Sequence, residues 1–531
     1  MGMVRISHLQ LPLAGLDSRE REKQALYQAA AQKAGIRTRD VTALDIVKKS
    51  LDAREKGRPV FVYTLDLHSG QRMKGSPPPP NPEPPLAKAL PQGPRPLVVG
   101  AGPAGLFAGL TLAQVGLRPI LLEQGKPVAA RQADVENFWH QGLLDPSSNI
   151  QFGEGGAGAF SDGKLTSRSK DSRGRQVLQV LVDCGADPEI LYWHRPHLGS
   201  DKLPGIIAAL GRRISSLGGE FRYQTTVTRL LLARGRLQGL ACRDADGSLF
   251  ELAADQVILA PGNSARPLYR ALAEQGLALE AKPFAVGLRI RQAQSLIDQA
   301  QYGAFAGHPL LQAADYQLTW QDLRYHRGCY TFCNCPGGYI INAASEKEGL
   351  AVNGMSLADR GSGWANSAAV AQGFPGRDFG REVLAGVEYQ YALEKTAFRL
   401  GDGAMPLMSA SAFLGQSREN NPDTRGVCSF ASQPADLRQL FSEEIVAGLQ
   451  GALLHWEKQL PGFTQGALLA GVESRTSAPL RILRDQAGMS LNCQGLYPAG
   501  EGAGYAGGIV SSAIDGLRAA QALLEQLAGR A

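Results

Sequence analysis

The chain has 531 residues, 44% hydrophobic and 20% charged, which suits a globular enzyme and excludes a collagenous or low-complexity chain. Such a length exceeds one small core and implies roughly two to four domains. No apolar run reaches the roughly 18 residues of a membrane span, and the opening MGMVRISHLQLPLAG lacks a secretory layout. Seven cysteines form no disulfide framework at this length, so the expected setting is reduced and cytoplasmic.

The net charge of +6 is unevenly placed. Residues 1–96 carry 16 Lys+Arg against 9 Asp+Glu, and the rest 39 against 40. A basic N-terminal segment suits RNA, an acidic protein or an anionic membrane surface, or it is a solvated face. Interleaved aromatics and a nucleic-acid motif are absent, which favours the solvated face over nucleic acid.

In chain order, Val4–Leu11 reads as a strand and Arg19–Ala34 as a helix with Leu26 and Ala30 on one face. Val41–Ser50 and Val60–Leu67 read as further strands. This β-α-β-β start predicts a small ferredoxin-like α+β domain over 1–75. The first cysteine of the chain is Cys184, so the unit holds no iron–sulfur cluster through thiolates. PPPPNPEPP (Pro77–Pro85) with Pro91, Pro94 and Pro96 predicts an extended linker over 76–96.

Residues 97–281 then read as the first part of a dinucleotide-binding domain. Leu97–Val99 leads into Gly100, Gly102 and Gly105, with Pro103 and Ala104 opening a helix, and Ile120–Leu122 ends on Glu123. The glycines allow the tight turn, the close approach of a pyrophosphate and the packing of helix on strand. The helix N-terminus supplies unpaired N–H groups, and the terminal acid can take ribose hydroxyls. Arg131, eight residues after Glu123, is expected on the cofactor phosphates. Asn149–Leu165 is dense in glycine and contributes Gly155, Gly156 and Lys164. Pro204–Leu217 reads as a helix, and Glu220–Leu232, Leu237–Arg243 and Phe250–Leu252 as a β-meander with Val227 among the cofactor contacts. Gln256–Ala260 is an apolar strand ending at Pro261-Gly262. Residues 282–471 lose this signature and predict an inserted substrate or cap domain. The nucleotide fold resumes over 472–531 as strand, glycine loop and long helix.

Three separated segments point to FAD rather than NAD. The first motif binds ADP. VILAPG (Val257–Gly262) resembles the apolar strand ending in Ala-Thr-Gly of FAD-binding proteins, with Pro261 in place of threonine. Leu496–Glu501 resembles their late strand ending in Gly-Asp, with Gly500 followed by Glu501 in place of the ribityl-binding aspartate. Gly504–Ile509, including Gly507 and Gly508, opens a helix whose N–H groups suit the flavin N1/O2 edge. No second glycine motif has its strand and helix; Gly401-Asp402-Gly403 lacks the strand. NAD(P)H would therefore bind only transiently, as an electron donor.

IVKKSLDAREKG (Ile46–Gly57), FGEGGAGAFSDGKL (Phe152–Leu165), TFCNCPGG (Thr331–Gly338), ESRTSAPLRI (Glu473–Ile482) and GEGAGYAGGI (Gly500–Ile509) together resemble the bacterial FAD-dependent dehydrogenases with an N-terminal ferredoxin-like domain. The resemblance spans nearly the whole chain and implies an FAD oxidoreductase without a defined substrate. Two departures concern family histidines. Asn263 stands in a pattern resembling Gly-His-Ser-Ala-Arg-Asp, and Arg291-Gln292 follow Arg289-Ile290 where the pattern resembles Arg-Ile-Glu-His.

Candidate catalytic residues are Cys333, Cys335, Arg475 and Lys164. The two cysteines are either a redox pair beside the flavin or small apolar wall residues. A metal needs about four ligands, and only Cys329, Cys333, Cys335 and His326 are near, so no metal site is expected. Arg475 is either a cation over the flavin or an anionic substrate, or a salt bridge holding cap to core. Lys164 either stabilises reduced flavin or pyrophosphate, or is a solvated surface residue. His194 and His197 read as loop structure. The expected fold is α/β: a Rossmann-type FAD-binding domain, an inserted α+β cap and a small N-terminal ferredoxin-like domain. The expected function is hydride transfer through flavin N5 to or from a small organic substrate. The alternatives are an RNA-associated flavoprotein and an isoprenoid or lipid reductase.

Overall fold

Five short parallel strands form the sheet on which the nucleotide-binding half is built. In the computed structural model, which describes residues 2–55, 57–74, 95–167, 169 and 171–529, their order across the sheet is Leu496–Pro498, Val257–Leu259, Leu97–Val99, Ile120–Leu122 and Glu220–Arg222. Numbered along the chain and read from the Glu220–Arg222 edge this is 3-2-1-4-5, the doubly wound arrangement, with its switch point between Leu97–Val99 and Val257–Leu259. Alternation along each strand divides the core in two. Val98, Leu121, Ile258 and Tyr497 face a cluster built from helices, including the glycine-loop helix Pro103–Gln114 and the C-terminal helix Ile509–Ala528. Leu97, Val99, Ile120, Leu122, Val257, Leu259 and Leu496 face the meander Thr226–Ala253 and the helix Arg266–Glu274. Both faces are covered, so every one of these strands except Glu220–Arg222 is buried throughout.

The meander differs from its expected form at its start. Glu220–Arg222 pairs in parallel with Ile120–Leu122 as the sheet edge, and Thr226–Ala233 begins the antiparallel meander. Gln224 at φ 53° breaks what reads in sequence as one strand.

The chain leaves this half through Leu279–Ala281 and returns through Leu480–Ile482, which pair antiparallel as a two-stranded neck. Between them lies a seven-stranded sheet, in spatial order Thr319–Asp322, Arg327–Cys335, Trp364–Gly373, Phe284–Ala293, Leu468–Glu473, Met405–Ser409 and Ser432–Pro434. The helix Glu443–Gln459 packs on it through Ile445, Leu449, Leu453 and Trp456.

The N-terminal strands Gly2–Pro12, Val41–Asp52 and Val60–Ser69 form a sheet with the third strand central and antiparallel to both others. The helix Arg19–Ala34 is capped by Ser18, which accepts from Arg21 N–H, and ends at Gly35 with φ 72°. Leu26, Ala30 and Ala34 are its buried stripe. The element order is the expected β-α-β-β. A second helix and a fourth strand are absent among the described residues, so the complete sandwich is not formed there. The linker expected over 76–96 lies outside the described residues apart from positions 95 and 96. The unit docks on the nucleotide half through backbone bonds from Lys49 N–H to Tyr192 O (2.7 Å) and from His194 N–H to Lys49 O (2.9 Å). Lys49 Nζ lies 4.3 Å from the Phe61 ring centre and 4.7 Å from that of Trp193, and pairs with Glu22.

Ala104 on the glycine-loop helix touches Gly516 on the C-terminal helix: a Cβ at Gly516 would lie 2.0 Å from Ala104 O. Gly516→Ala is therefore expected to separate the helices and to lower stability by about 1–3 kcal/mol, as overpacking does. Urea unfolding checks this, and an unchanged midpoint would contradict the packing described.

Candidate functional site

The carboxyl ends of the parallel strands open onto a cavity of about 2480 Å³, larger than the roughly 300–1,000 Å³ of an ordinary small-ligand pocket. Its walls are the loops after those strands, strands of the inserted sheet, and Leu51, Arg54 and Phe61 of the N-terminal unit. Of the residues expected from sequence, Gly100, Gly102, Pro103, Ala104, Glu123, Gly156, Val227, Gly262, Gly500, Glu501, Gly507, Gly508 and Ile509 all line it. Lys164, Cys333 and Arg475 do so too.

Two kinds of glycine build the wall. A Cβ at Gly100, which has φ 93°, would lie 2.2 Å from Ala260 O, and one at Gly105 would lie 1.8 Å from Gly100 O. These two permit the close packing of loop, strand and helix. At Gly102, by contrast, a Cβ meets only Gly156 Cα at 3.7 Å, and at Gly262 and Gly507 it meets nothing within 4 Å. Those positions border open space. The glycine-loop helix and the C-terminal helix both begin at this wall, and no side chain caps either one. Their first N–H groups and positive dipole ends thus point toward one cavity. Glu123 stands beside the first: its carboxylate accepts from the N–H groups of Ala101 (2.8 Å), Gly125 (2.9 Å) and Gly153 (2.9 Å).

Four expected residues do not line the cavity. Arg131 is fully buried, and its guanidinium donates to the carbonyls of Asn149, Ile150, Gly153 and Glu154 at 2.7–3.2 Å while stacking over Phe160. It pins the glycine-rich loop and cannot serve phosphates. Gly155 donates to Ala101 O (2.8 Å) and packs against Ile207. Gly105 serves helix packing, and Cys335 is buried behind the wall.

Of the two roles open to Arg475, the salt bridge is the one formed. Its guanidinium donates to both oxygens of Glu394 (2.8 and 2.6 Å), to Ser264 Oγ (3.0 Å) and to Ser345 Oγ (2.6 Å). Arg266 grips the same carboxylate at 2.9 and 2.6 Å. Burial alone would raise the Glu394 pKa, but the two guanidinium ions outweigh it and hold the group far below the carboxylate range. Arg475 and Glu394 both lie on the inserted side of the neck, so Arg475 reaches the nucleotide half through Ser264 Oγ, while Arg266 grips Glu394 from that half.

The cysteines lie in an irregularity of the inserted sheet. Phe332 pairs with Ala368, and pairing resumes at Cys335 with Asn366, so Cys333 and Asn334 together face one residue. This is a bulge, and Cys333 takes φ 48° within it. Cys333 is half-buried on the cavity wall, whereas Cys335 is fully buried. Arg289, also fully buried, donates to Cys333 O (2.7 Å), Cys335 Sγ (3.1 Å), Asn366 Oδ1 (2.8 Å) and Glu473 Oε2 (3.2 Å). A hydrogen bond from the Cys335 thiol, reinforced by the Lys164 and Arg289 cations, pulls the Cys333 pKa down. Burial drives that of Cys335 up. Burial also works against the Lys164 charge, but Asp162, 3.5 Å from its Nζ, and the two thiols outweigh it. Burial pushes Glu473 up to about 7 despite Arg289, and Glu501 likewise up to about 7, with Asn263 Nδ2 donating to it at 2.8 Å.

Asp162, Arg289, Glu394 and Glu473 were not singled out by sequence. One signal marks Arg289: FAVGLRIRQA places two arginines two residues apart in an otherwise apolar strand. Both then lie on one face of a buried strand, where a charge persists only if paired. Because the Glu473 pKa is raised on folding, its contribution to stability is full below the ordinary value of 4.5 and is lost as pH rises through about 7. Glu473→Gln is expected to lower the urea midpoint while flattening its decline across that window. A slope equal to that of the unaltered protein would contradict the assignment.

Residues 283–476 match the family described as FAD-dependent protein, C-terminal domain-like, and residues 3–68 match a domain of unknown function. An uncharacterised protein of Clostridium beijerinckii is 37% identical over 549 residues, covering 98% of this chain and 99% of its own. Among solved structures, a geranylgeranyl bacteriochlorophyll reductase-like protein of Thermoplasma acidophilum is 11% identical, with 82% of this chain and 79% of that chain covered and a TM-score of 0.36. The glycerol-3-phosphate dehydrogenase of Bacillus halodurans, complexed with FAD, is 11% identical over 83% of this chain and 66% of its own, with a TM-score of 0.36. At these scores the structural likenesses carry no statement about reaction or substrate. The full-length relative and the matched domain do carry one about kinship: the chain belongs to a family of bacterial FAD-dependent proteins.

Proposed function

We propose that the cavity holds FAD at full length and that the protein is an oxidoreductase acting on a small polar organic molecule. The observation that carries this reading is the convergence of two uncapped helix N-termini on one cavity at the switch point of a parallel sheet. The residues present fit the cofactor. Gly102, Gly262 and Gly507 form a cradle that side chains would fill and that no atom of the described residues occupies.

In this reading the ADP portion lies along the glycine-loop helix, with its pyrophosphate on the N–H groups after Gly102. Glu123, already aligned by three backbone donors, accepts from the adenosine ribose, and Val227 flanks the adenosine. Glu501 and Asn263 take the ribityl chain. Bound there, the flavin supplies two-electron chemistry at N5. The N–H groups of Gly508 and Ile509 stabilise negative charge at the edge of the ring. Lys164, held by Asp162 within electrostatic reach of Cys333, adds a cation on the opposite wall. Arg360 lies 3.6 Å from the same Asp162 carboxylate. NAD(P)H, as donor, enters this cavity transiently, since no second glycine motif accompanies the first. The charged lining speaks against an isoprenoid or lipid substrate: Asp162, Lys164, Lys282, Arg360, Glu473 and Glu501 all border the cavity.

Gly507→Val separates folding from loading, because a Cβ there meets no atom of the described residues within 4 Å. The variant is expected to fold with an unchanged urea midpoint while binding FAD at least about tenfold more weakly, near 1.4 kcal/mol. Flavin absorbance after reconstitution and desalting reads this. An unaltered chain that retains no flavin would overturn the reading, as would a variant that loads equally well.

A further inference from the structure

Cysteines two apart on a regular strand cannot form a disulfide. Their Cβ atoms stand roughly 7 Å apart at a rise of about 3.4 Å per residue, and the bond needs about 3.5–4.5 Å. The Cys333–Cys335 segment is not regular. The bulge inserts one extra residue between the pairings Phe332↔Ala368 and Cys335↔Asn366, and Cys333 adopts φ 48°, a conformation that residues other than glycine rarely take. The result is that the Cys335 thiol hydrogen-bonds Cys333, with Sγ 3.4 Å from Cys333 O. The two thiols differ in setting. Cys333 opens onto the cavity, and Cys335 is sealed behind it with Arg289 Nη2 donating to its sulfur at 3.1 Å.

We infer that Cys333 and Cys335 are a redox pair that closes to a disulfide and reopens, exchanging two electrons with the flavin held in the adjoining cavity. This rests on the FAD reading above. In closing, the two S–H bonds break and one S–S bond forms, releasing two electrons and two protons. Both electrons and one proton pass to the oxidised flavin, and the other proton leaves through the cavity. Reopening is the reverse. Cys333 has the setting of an attacking thiol: accessible, beside Lys164 and Arg289, and with its pKa drawn down. Cys335, buried and protonated, resolves. The contrast with the rest of the chain supports the assignment. Cys184, Cys242, Cys329, Cys428 and Cys493 are all shifted upward by burial. Glu501 of the C-terminal glycine loop lies within electrostatic reach of Cys333, which sets the pair against the loop proposed to hold the ring end.

The test is an anaerobic dithionite titration of the full-length FAD-loaded protein, pre-oxidised with glutathione disulfide and desalted. The unaltered protein is expected to take about four electrons per bound flavin, two for the ring and two for the disulfide, since each is a two-electron couple. Cys333→Ser and Cys335→Ser are each expected to take about two, with flavin content unchanged as evidence that they fold and load. Alkylation and mass spectrometry give a readout that does not depend on flavin. Both thiols should be blocked after oxidation and free after reduction, and only in the unaltered chain. A protein that loads flavin but takes about two electrons, with both thiols alkylated throughout, overturns the pair and leaves the FAD reading standing. A protein that binds no flavin overturns the reading beneath it, and the exchange with it.

Discussion

The close contact of two helices on one face of the parallel sheet is the constraint from which the site follows. The glycine-loop helix and the C-terminal helix can lie this near only because Gly516 faces the backbone of Ala104; Gly500, in the loop before the second helix, faces the Ala104 methyl group, where a Cβ would stand 2.7 Å away. The contact directs both N-termini, which no side chain caps, into one cavity. Each end carries about half a positive charge and several unpaired N–H groups. Two such ends at a single switch point favour a ligand that carries or develops negative charge at two separate places. A phosphate-bearing cofactor with a reducible ring has that distribution.

The second half of the site is brought up by the inserted sheet, and charged side chains buried between the halves hold it there. Arg266 of the nucleotide half grips Glu394, which also holds Arg475; within the inserted sheet itself, Arg289 ties Glu473 to the Cys333–Cys335 bulge. Buried ion pairs contribute little net stability against apolar packing of the same shape, and losing one partner costs several kcal/mol. Their value lies in direction. A carboxylate gripped by two guanidinium groups admits few arrangements, so the cap is placed over the cavity in one pose. The N-terminal unit closes a further side through Lys49, whose ammonium lies against Phe61 and Trp193 while paired with Glu22. In this way a basic segment contributes part of the cavity wall.

What could be read from sequence was what local chemistry decides. The strand–glycine–helix–strand unit ending at Glu123, the helix Arg19–Ala34 and the late glycine loop are each specified within some thirty residues, and each stands where its pattern put it. Errors arose where a distant partner decides. Arg131 has the spacing of a phosphate ligand, but carbonyls of the Asn149–Glu154 loop turn it inward. Glu220–Leu232 reads as one strand until Ile120–Leu122 claims its first residues. The Arg289–Glu473 pair spans 184 residues and is made by strand pairing, so no window of sequence displays it. The bulge at Cys333 is likewise a property of register with Trp364–Gly373, invisible in TFCNC itself.

Central to this account is that one cavity takes the whole of an extended FAD, from Glu123 at the adenosine end to the Cys333 wall at the ring end. A crystal structure of the protein loaded with FAD tests that most directly. The account predicts the adenosine ribose at Glu123, the pyrophosphate on the N–H groups after Gly102, and the isoalloxazine between Gly508 and Cys333. A flavin ring seated away from the C-terminal helix, or an adenosine beyond the reach of Glu123, would contradict it.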